Sequence, residues 1–336
     1  MPSLRRIPRV HPPRPSRPRR HRAGARAVVV GDLALDIVLA PARPLESGTD
    51  VPGRVSIYQG GSAANTARWL ARLGVATQLV GSVGRDAPGR ALLDALRSDG
   101  VTTRVGRTGR LRTARIGVLV DPGGERSFVA DRAAADALAP SDLREAWFQG
   151  IDVVHLPAYS LLGRPLGLAG QEAIRMARVA GALVSLDLAS LEPLLSDGRE
   201  AALELVRKSA PDLLFATALE LHGLLGTGGR TDARAADLAA IVVVKRGAAG
   251  VTVLVRETAA GSAAGPALKF DVATRPVAAA DTTGAGDAFD AGFIAEWLAS
   301  RKAGRPTLVA LRRAAVVGNR IAARQVSAPR RELQLG

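Results

Sequence analysis

Short runs of apolar, mostly β-branched residues alternate along this chain with longer stretches in which apolar residues recur at helical spacing. The runs that predict strands are 27–30, 78–80, 153–155, 183–186, 213–215 and 241–244. The stretches that predict helices are 63–73, 89–97, 169–180, 200–208, 234–238, 285–300 and 308–324. Strands joined by helices in this way are typical of a mostly parallel sheet with helices on its faces, so the pattern predicts an α/β fold.

Two segments break the alternation, because strand-like runs follow each other there without a helix. The first is 51–58, and the second is the pair 114–120 and 126–130, which flanks the sequence Asp-Pro-Gly-Gly at 121–124. The second segment predicts a β-hairpin. We expect these strands, at about 51–58 and 113–131, to leave the main sheet and form a small β lid over one of its edges.

Composition narrows the class of protein. Hydrophobic residues make up 47% of 336 residues, which is enough for the core of a large domain. The longest apolar run, 238–244, is far shorter than the roughly 20 residues that cross a bilayer, so no membrane partner is expected. The absence of cysteine excludes disulfides and thiolate catalysis, and the four histidines are scattered. We expect a cytoplasmic location.

The net charge of +15 is concentrated at the N-terminus. Residues 1–26 hold nine arginines, six prolines and no acid, and the remaining 37 basic residues exceed the 31 acidic ones by only six. We expect 1–26 to be a disordered tail. Three interpretations stay open for it: an arm for nucleic acid or another anionic surface, a transit peptide, or a solvated extension. Because it has no aromatic ring and many prolines, the third is favoured, and a nucleic-acid partner is not expected.

The strongest candidate for chemistry is the sequence Asp-Thr-Thr-Gly-Ala-Gly-Asp at 281–287, which leads directly into a helix. A glycine-rich turn at a helix start points backbone N–H groups outward and adds the positive end of the helix dipole, so it can bind phosphate. Two roles stay open for Asp287. It either stabilises the helix start, or acts as a general base for a hydroxyl that attacks a phosphoryl group.

Two further clusters are candidates for substrate binding. Gly60 and Gly61 precede the helix that carries Asn65. Small residues let a ligand approach the backbone, although tight helix–sheet packing is an alternative reason for the glycines. The amide of Asn65 suits a hydroxyl-rich substrate. Asp36 follows the apolar run of the first strand, where open α/β sheets bind ligands. It is positioned to accept hydrogen bonds from two sugar hydroxyls, and a surface turn is the alternative.

Several other chemistries lack their motifs. No glycine precedes a lysine, so there is no Walker A loop, and no G-x-G-x-x-G follows the first strand. A G-x-S-x-G nucleophile elbow is also absent.

Two motifs resemble, in this order along the chain, the signatures of the PfkB, or ribokinase-like, carbohydrate kinase family. They are Gly60-Gly61 with Asn65, and the sequence at 281–287. The segments 81–89, 126–132 and 245–250 are also similar to family segments. The resemblance covers 27–330 as one kinase domain and leaves 331–336 as a C-terminal tail. It implies a three-layer ribokinase-like fold, with a central sheet flanked by helices and a small lid.

The activity that the resemblance implies is transfer of the γ-phosphoryl group of ATP to a hydroxyl of a small carbohydrate. Asp287 would be the base, and the N–H groups of Gly284, Ala285 and Gly286 would form the anion hole. The residues that would hold the substrate are Asp36, Gly60, Gly61 and Asn65.

The cofactors that the resemblance implies are ATP and Mg²⁺, with K⁺ in some family members. The residues that would contact ATP are Lys245, Gly247, Gly250, Thr282, Gly284 and Gly286. Glu220 matches the acid of an N-x-x-E motif that contacts Mg²⁺ through water, with Thr217 in place of the asparagine. Asp281 and Thr283 match positions that line a monovalent cation site.

Alternatives remain for the substrate and for the class of protein. A nucleoside kinase of the same family is the main rival, but aromatic residues are only 3% of the chain, and Tyr58 and Phe128 are the few in the lid strands. The pattern at residues 34–36 and 60–65 also departs from that of ribokinases proper, so D-ribose is not indicated.

A non-catalytic sugar or nucleotide sensor is the alternative of another class. Exposed lid edges also favour a homodimer through the lid.

Overall fold

Thirteen strands are assigned in the computed structural model, which describes residues 24–226, 231–256, 268–279 and 281–335. Numbered in chain order, they are β1 (Arg26–Val30), β2 (Ala34–Pro41), β3 (Gly53–Gly60), β4 (Ala76–Gly84), β5 (Thr102–Thr108), β6 (Ala114–Val120), β7 (Arg126–Asp131), β8 (Val153–Pro157), β9 (Leu183–Asp187), β10 (Leu213–Thr217), β11 (Ile241–Lys245), β12 (Val251–Val255) and β13 (Leu268–Val272).

The α-helices of the described residues lie mostly between these strands. In chain order they are α1 (Ser62–Arg72), α2 (Ala87–Ser98), α3 (Leu166–Val179), α4 (Leu191–Leu194), α5 (Arg199–Ser209), α6 (Ala218–Leu225), α7 (Thr231–Ala236), α8 (Ala285–Lys302) and α9 (Thr307–Ser327). Within the described residues, none of these helices combines the length and the apolarity that crossing a bilayer requires.

The main sheet has nine strands in the order β13-β12-β11-β10-β9-β8-β1-β4-β5. Every pair from β11 to β5 is parallel, and β12 and β13 add an antiparallel edge. All six predicted strands are confirmed in this sheet. Strands β5, β12 and β13 were not predicted; β5 carries mostly polar side chains, because it lies at an edge of the sheet and is only partly covered.

Both faces of the main sheet are buried. In β1, Val28 and Val30 belong to one hydrophobic cluster, which includes α3, α5 and α6. Ala27 and Val29 belong to a second cluster on the other face, which includes α1, α8 and α9. Successive residues of a strand point to opposite faces, so a strand covered on both reads as a continuous apolar run. The predicted α/β class and three-layer arrangement are therefore confirmed.

The small sheet has four strands in the order β3-β2-β6-β7. The predicted strands at 51–58, 114–120 and 126–130 correspond to β3, β6 and β7. The sequence interpretation missed β2, which pairs antiparallel with β3 and parallel with β6. Because only residues 31–33 separate β1 from β2, the sequence pattern predicted a single strand followed by polar residues.

Both predicted domain boundaries differ from the structure. Arg26 already belongs to β1, and its N–H donates to Asp152 Oδ2 at 2.7 Å; residues 1–23 of the predicted tail lie outside the described residues. At the other end, the N–H of Leu333 donates to the carbonyl of Ile57 at 2.8 Å. The described part of the predicted C-terminal tail therefore lies along β3, because its backbone finds a partner at a strand edge.

An aromatic cluster attaches α8 to the centre of the main sheet. Phe215 of β10 contacts Phe289 and Phe293 of α8 edge-to-face, with ring centroids 6.2 and 5.4 Å apart. All three rings are buried. Such pairs contribute beyond their buried area, so this cluster fixes the helix that begins beside the 281–287 loop.

We predict that Phe215→Ala lowers the free energy of unfolding by about 3–5 kcal/mol, because it removes a fully buried ring and leaves a cavity. Urea unfolding followed by circular dichroism measures this. Leu219→Ala, at a side chain that is 81% exposed, is the control and should change stability little. Equal midpoints for the two variants would show that the cluster does not hold α8.

Candidate active site

The loop that enters α8 has the geometry of an anion site. Gly284 has φ 72°, a left-handed conformation that glycine adopts without strain. Among the described residues, the N–H groups of Gly284 and Gly286 have no intramolecular acceptor, whereas the N–H of Ala285 makes a long bond of 3.3 Å to the carbonyl of Thr282. Two of the three N–H groups predicted for the anion hole are therefore unpaired, at the positive end of the α8 dipole.

Asp287 lies in the first turn of α8 and is held by α1. The Ser62 hydroxyl donates to Asp287 Oδ1 at 2.7 Å, and the Asn65 amide donates to Oδ2 at 2.8 Å. Loss of hydration raises the pKa of Asp287 to about 6, and these two hydrogen bonds limit the rise. A carboxylate whose pKa lies near neutrality is suited to accept a proton and release it again.

Gly60 and Gly61 are required by packing. A Cβ at Gly60 would collide with the carboxylate of Asp36. Gly61 has φ 96°, and a Cβ there would lie 2.6 Å from the carbonyl oxygen of Asp32. The structure thus brings Gly60, Gly61, Asn65 and Asp36 together, and it gives the two glycines a structural role whether or not they also contact a ligand.

Asp36 does not lie at the end of the first strand, as the sequence suggested, but inside β2 of the small sheet. It is 6% exposed, so the surface-turn alternative is wrong. Arg330 Nη1 donates to Asp36 Oδ2 at 2.8 Å. Burial still raises the pKa of Asp36, because the loss of hydration outweighs the attraction of the guanidinium.

Lys245 borders the anion loop from the side of β11. Its Nζ lies 3.0 Å from Asp187 Oδ1 and 3.2 Å from Asp290 Oδ1, and 3.3 Å from the place that a Cβ of Gly286 would occupy. Burial disfavours its charge, but these two carboxylates outweigh that effect and raise the pKa of Lys245. A permanent cation therefore stands beside the unpaired N–H of Gly286.

The other residues predicted for ATP lie in the turn after β11 and in the 281–287 loop. Gly247 and Gly250 form the turn between β11 and β12, with φ 54° and 87°. A Cβ at Gly250 would collide with the carbonyl of Val272, so this position needs glycine. Thr282 is exposed, and its hydroxyl accepts a hydrogen bond from Arg126 at 2.9 Å.

Glu220 and Thr217 form a capping box at the start of α6. Glu220 Oε2 accepts from the N–H of Thr217 at 2.7 Å, and the N–H of Glu220 donates to Thr217 Oγ1 at 3.2 Å. Burial raises the pKa of Glu220, with a further rise from nearby Asp187 and an opposing effect from Lys245. The threonine that replaces the motif asparagine thus has a structural role, since its hydroxyl caps the helix.

Asp281 and Thr283 do not fit a monovalent cation site. Asp281 Oδ1 accepts from Arg126 Nη2 at 2.7 Å and from the N–H of Thr283 at 2.8 Å, and Oδ2 accepts from Arg330 Nε at 2.9 Å. Arg126 Nη1 also donates to Thr283 Oγ1 at 2.6 Å. Burial opposes ionisation here, but these donors lower the pKa of Asp281. Two guanidinium groups thus occupy the oxygens on which a potassium ion would depend.

Several residues of this site were missed in the sequence. Asp187 ends the parallel strand β9, and a carboxylate at the end of a strand is the signal that also predicted Asp36. Asp290 follows Asp287 by one helical turn. Ser62 follows directly after the glycine pair. For Arg126 and Arg330 the sequence holds no signal, because each reaches Asp281 from a distant segment.

Fold, loop and acid together define a kinase of the ribokinase-like class. The family model of the pfkB family carbohydrate kinases matches residues 25–329. This chain belongs to the pfkB family of carbohydrate kinases, and it is therefore a phosphotransferase.

Three similar proteins illustrate the range of the family. ATP-dependent ribose-1-phosphate kinase of Halopiger xanaduensis is 36% identical over 247 residues, which are 71% of this chain and 73% of that protein. Fructokinase from Xylella fastidiosa, solved with bound ATP, is 26% identical with a TM-score of 0.73 and covers 90% of this chain and 93% of its own. Adenosine kinase from Sinorhizobium meliloti, 24% identical with a TM-score of 0.77, shares the fold over 93% of this chain and 98% of its own.

If Asp287 is the general base, it must be deprotonated to act, and we predict that kcat/KM then bends at about pH 6. Below the bend, the rate should fall about ten-fold per pH unit. Ser62→Ala should move the bend to higher pH, because it removes a hydrogen bond that stabilises the carboxylate. A profile that stays flat down to pH 5, or a bend that Ser62→Ala does not move, would contradict this account.

We also predict that catalysis does not require potassium. Replacing potassium chloride by choline chloride at constant ionic strength should change kcat and KM by less than about two-fold, because Arg126 and Arg330 already neutralise Asp281. Coupled measurement of ADP release over a potassium titration tests this. A rise in rate that saturates with potassium would show that a cation site exists after all.

Proposed function

We propose that this protein is an ATP-dependent sugar kinase in which Asp287 is the general base. The single observation that carries the proposal is the placement of a carboxylate with a pKa of about 6, held by Ser62 and Asn65, next to unpaired N–H groups at a helix start. The base and the site for the transferred phosphoryl group are thus adjacent.

The nucleotide side of the proposed site is the Lys245 side of the loop. The residues proposed to contact ATP are Lys245, Gly247, Gly250, Thr282, Gly284 and Gly286. Magnesium would supply neutralisation of the phosphate charge. Glu220 and Asp187 are two of the three carboxylates near Lys245 among the described residues, and they fit contact with a hydrated magnesium ion that accompanies ATP.

The acceptor side is formed by Asp36, Gly60, Gly61 and Asn65. A sugar hydroxyl gives its proton to Asp287 while its oxygen forms a bond to the γ-phosphorus of ATP, and the bond from that phosphorus to the β–γ bridging oxygen breaks. The N–H groups of Gly284 and Gly286 stabilise the negative charge that develops on the transferred phosphoryl group. The N–H of Ala285 joins them when its long bond to the carbonyl of Thr282 opens. The small sheet covers this side and excludes water, so that the hydroxyl is the acceptor rather than water.

The lid strands favour a sugar over a nucleoside as acceptor. Arg330 already covers the ring of Tyr58, with its guanidinium 4.3 Å from the ring centroid. One face of the Tyr58 ring is therefore already covered, which disfavours stacking of a base on it. Phe128 is 60% exposed. The names of similar proteins include both a fructokinase and a ribose-1-phosphate kinase, so free sugars and sugar phosphates are both acceptors to test.

A homodimer through the lid is part of the proposal. Large hydrophobic side chains of the small sheet remain exposed at Leu39, Val55, Phe128 and Val129. Pairing with a second copy would bury them. Sedimentation equilibrium measures this association.

We predict that Asp287→Asn lowers kcat by about 100- to 10,000-fold, because it removes proton acceptance and keeps the shape of the side chain. ADP release from ATP and Mg²⁺, with a panel of pentoses, hexoses, sugar phosphates and nucleosides, measures the activity against a control without acceptor.

The matched control is Asp94→Asn, which changes a carboxylate on α2 that is 73% exposed and lies outside the proposed site and the cavity beside it. ATP affinity should be nearly unchanged in both variants. Near wild-type turnover in Asp287→Asn would refute the base assignment. ATP binding without turnover on any acceptor would favour the sensor alternative.

A further inference from the structure

A basic cavity of about 400 Å³ lies beside the proposed acceptor site. It is bounded by α1, the C-terminal end of α9, the residues that follow it, and the end of β3. Five arginines line it, and Asp99 is its only acidic lining residue among the described part of the chain. The arginines are Arg68, Arg72, Arg324, Arg330 and Arg331.

Three of these arginines have no acidic partner. Arg72 pairs with Asp99, and Arg330 pairs with Asp36 and Asp281. For Arg68, Arg324 and Arg331, no carboxylate of the described residues lies within ion-pair distance. The cavity therefore keeps positive charge that the protein itself does not neutralise.

Arg68 is the most informative of the three, because it is partly buried and fixed. Its guanidinium donates to the side-chain oxygens of Gln59 and Asn65, which are neutral amides. Burial lowers the pKa of Arg68 to about 10, with a smaller opposing effect from Asp99. Holding a guanidinium away from water without a counter-charge is costly, and a bound anion would remove that cost.

The cavity shares two walls with the acceptor site. Asn65 lines the cavity and donates to Asp287 Oδ2 at 2.8 Å, and Arg330 lines it and donates to Asp36 Oδ2 at 2.8 Å. A group bound here is thus one side chain away from the proposed base. Planar guanidinium groups match phosphate oxygens in pairs, so a phosphate suits these walls better than a monovalent anion.

We propose that this cavity binds a phosphate monoester or inorganic phosphate through Arg68, Arg324 and Arg331. The phosphate has two sources: the acceptor sugar itself, which would make the substrate a sugar phosphate, or a separate phosphate ligand that binds next to the acceptor. The first source rests on the function proposed above, whereas the second requires only the cavity.

The test uses the full chain and two kinds of measurement. Titration calorimetry at constant ionic strength measures the binding of inorganic phosphate and of ribose 1-phosphate. ADP release measures KM for ribose against ribose 1-phosphate, and for fructose against fructose 1-phosphate. The variants are Arg68→Gln and the double variant Arg324→Gln with Arg331→Gln. Arg320→Gln is the matched control, since it lies exposed on α9 outside the cavity.

We expect phosphate compounds to bind the wild type and Arg320→Gln alike, and about ten-fold or more weakly to the cavity variants. The double variant changes exposed side chains, so it keeps the test valid if Arg68→Gln fails to fold. A KM for the phosphorylated sugar that is far lower than for the free sugar, with the difference lost in the cavity variants, identifies the acceptor as the source. Inorganic phosphate that still binds at a saturating concentration of the phosphorylated sugar identifies a separate ligand.

Other outcomes refute one proposal without the other. If neither phosphate compound binds and the cavity variants behave as Arg320→Gln does, the cavity proposal is wrong, while turnover of a free sugar would still support the kinase. If phosphate binds and the cavity variants weaken it, but no acceptor releases ADP, the cavity stands and the proposed kinase function fails.

Discussion

Neutralisation of buried carboxylates is the constraint on which the rest of this site depends. Asp36 and Asp281 face Arg330, and Asp187 and Asp290 face Lys245. Losing one cation would leave a buried charge unpaired, which typically costs about 3–5 kcal/mol. Asp287 differs, because among the described residues only the neutral Ser62 and Asn65 side chains bond to its carboxylate. Asp287 therefore ionises without a cation bonded to it, burial raises its pKa to about 6, and it is the proposed base.

The same ion pairs join parts of the chain that are far apart in sequence. Arg126 comes from strand β7 of the small sheet and Arg330 from the segment after α9, and both bond to Asp281 at the start of the anion loop. The small sheet, the C-terminal segment and the loop therefore hold each other in place. A displacement of the small sheet away from the loop would separate Arg126 from Asp281, so the position of the lid and the shape of the loop are energetically linked.

Local pattern was sufficient for much of this fold and for the backbone part of the site. The apolar runs predicted the six central parallel strands, because these are buried along most of their length. Helical spacing predicted most of the helices beside them, but not α4 or α6. Gly60, Gly61 and the 281–287 loop were visible because glycine before a helix is a local signal. Strand β2 was missed because its polar Asp36 interrupts the apolar pattern, and its charge is balanced by a residue 294 positions away.

The guanidinium partners could not be found in the same way. An arginine in an irregular segment, such as Arg330, belongs to no periodic pattern that would predict its position in the fold. The chain also has 46 lysines and arginines, so a single one does not stand out in the sequence. Only the folded chain shows which of them reach the carboxylates. The potassium expectation has the same limit: the motif residues Asp281 and Thr283 were visible in the sequence, but the guanidinium groups that bond to Asp281 were not.

The contact of the C-terminal segment with the small sheet has a consequence for reading gene variants. A premature stop codon just before Arg330 would leave both glycine motifs and Asp287 intact, so a motif search would still report a complete kinase. The shortened protein would nevertheless lose the cation shared by Asp36 and Asp281, and the backbone bond from Leu333 to β3. We therefore expect truncations of a few residues at this end to disturb the site although every motif is retained.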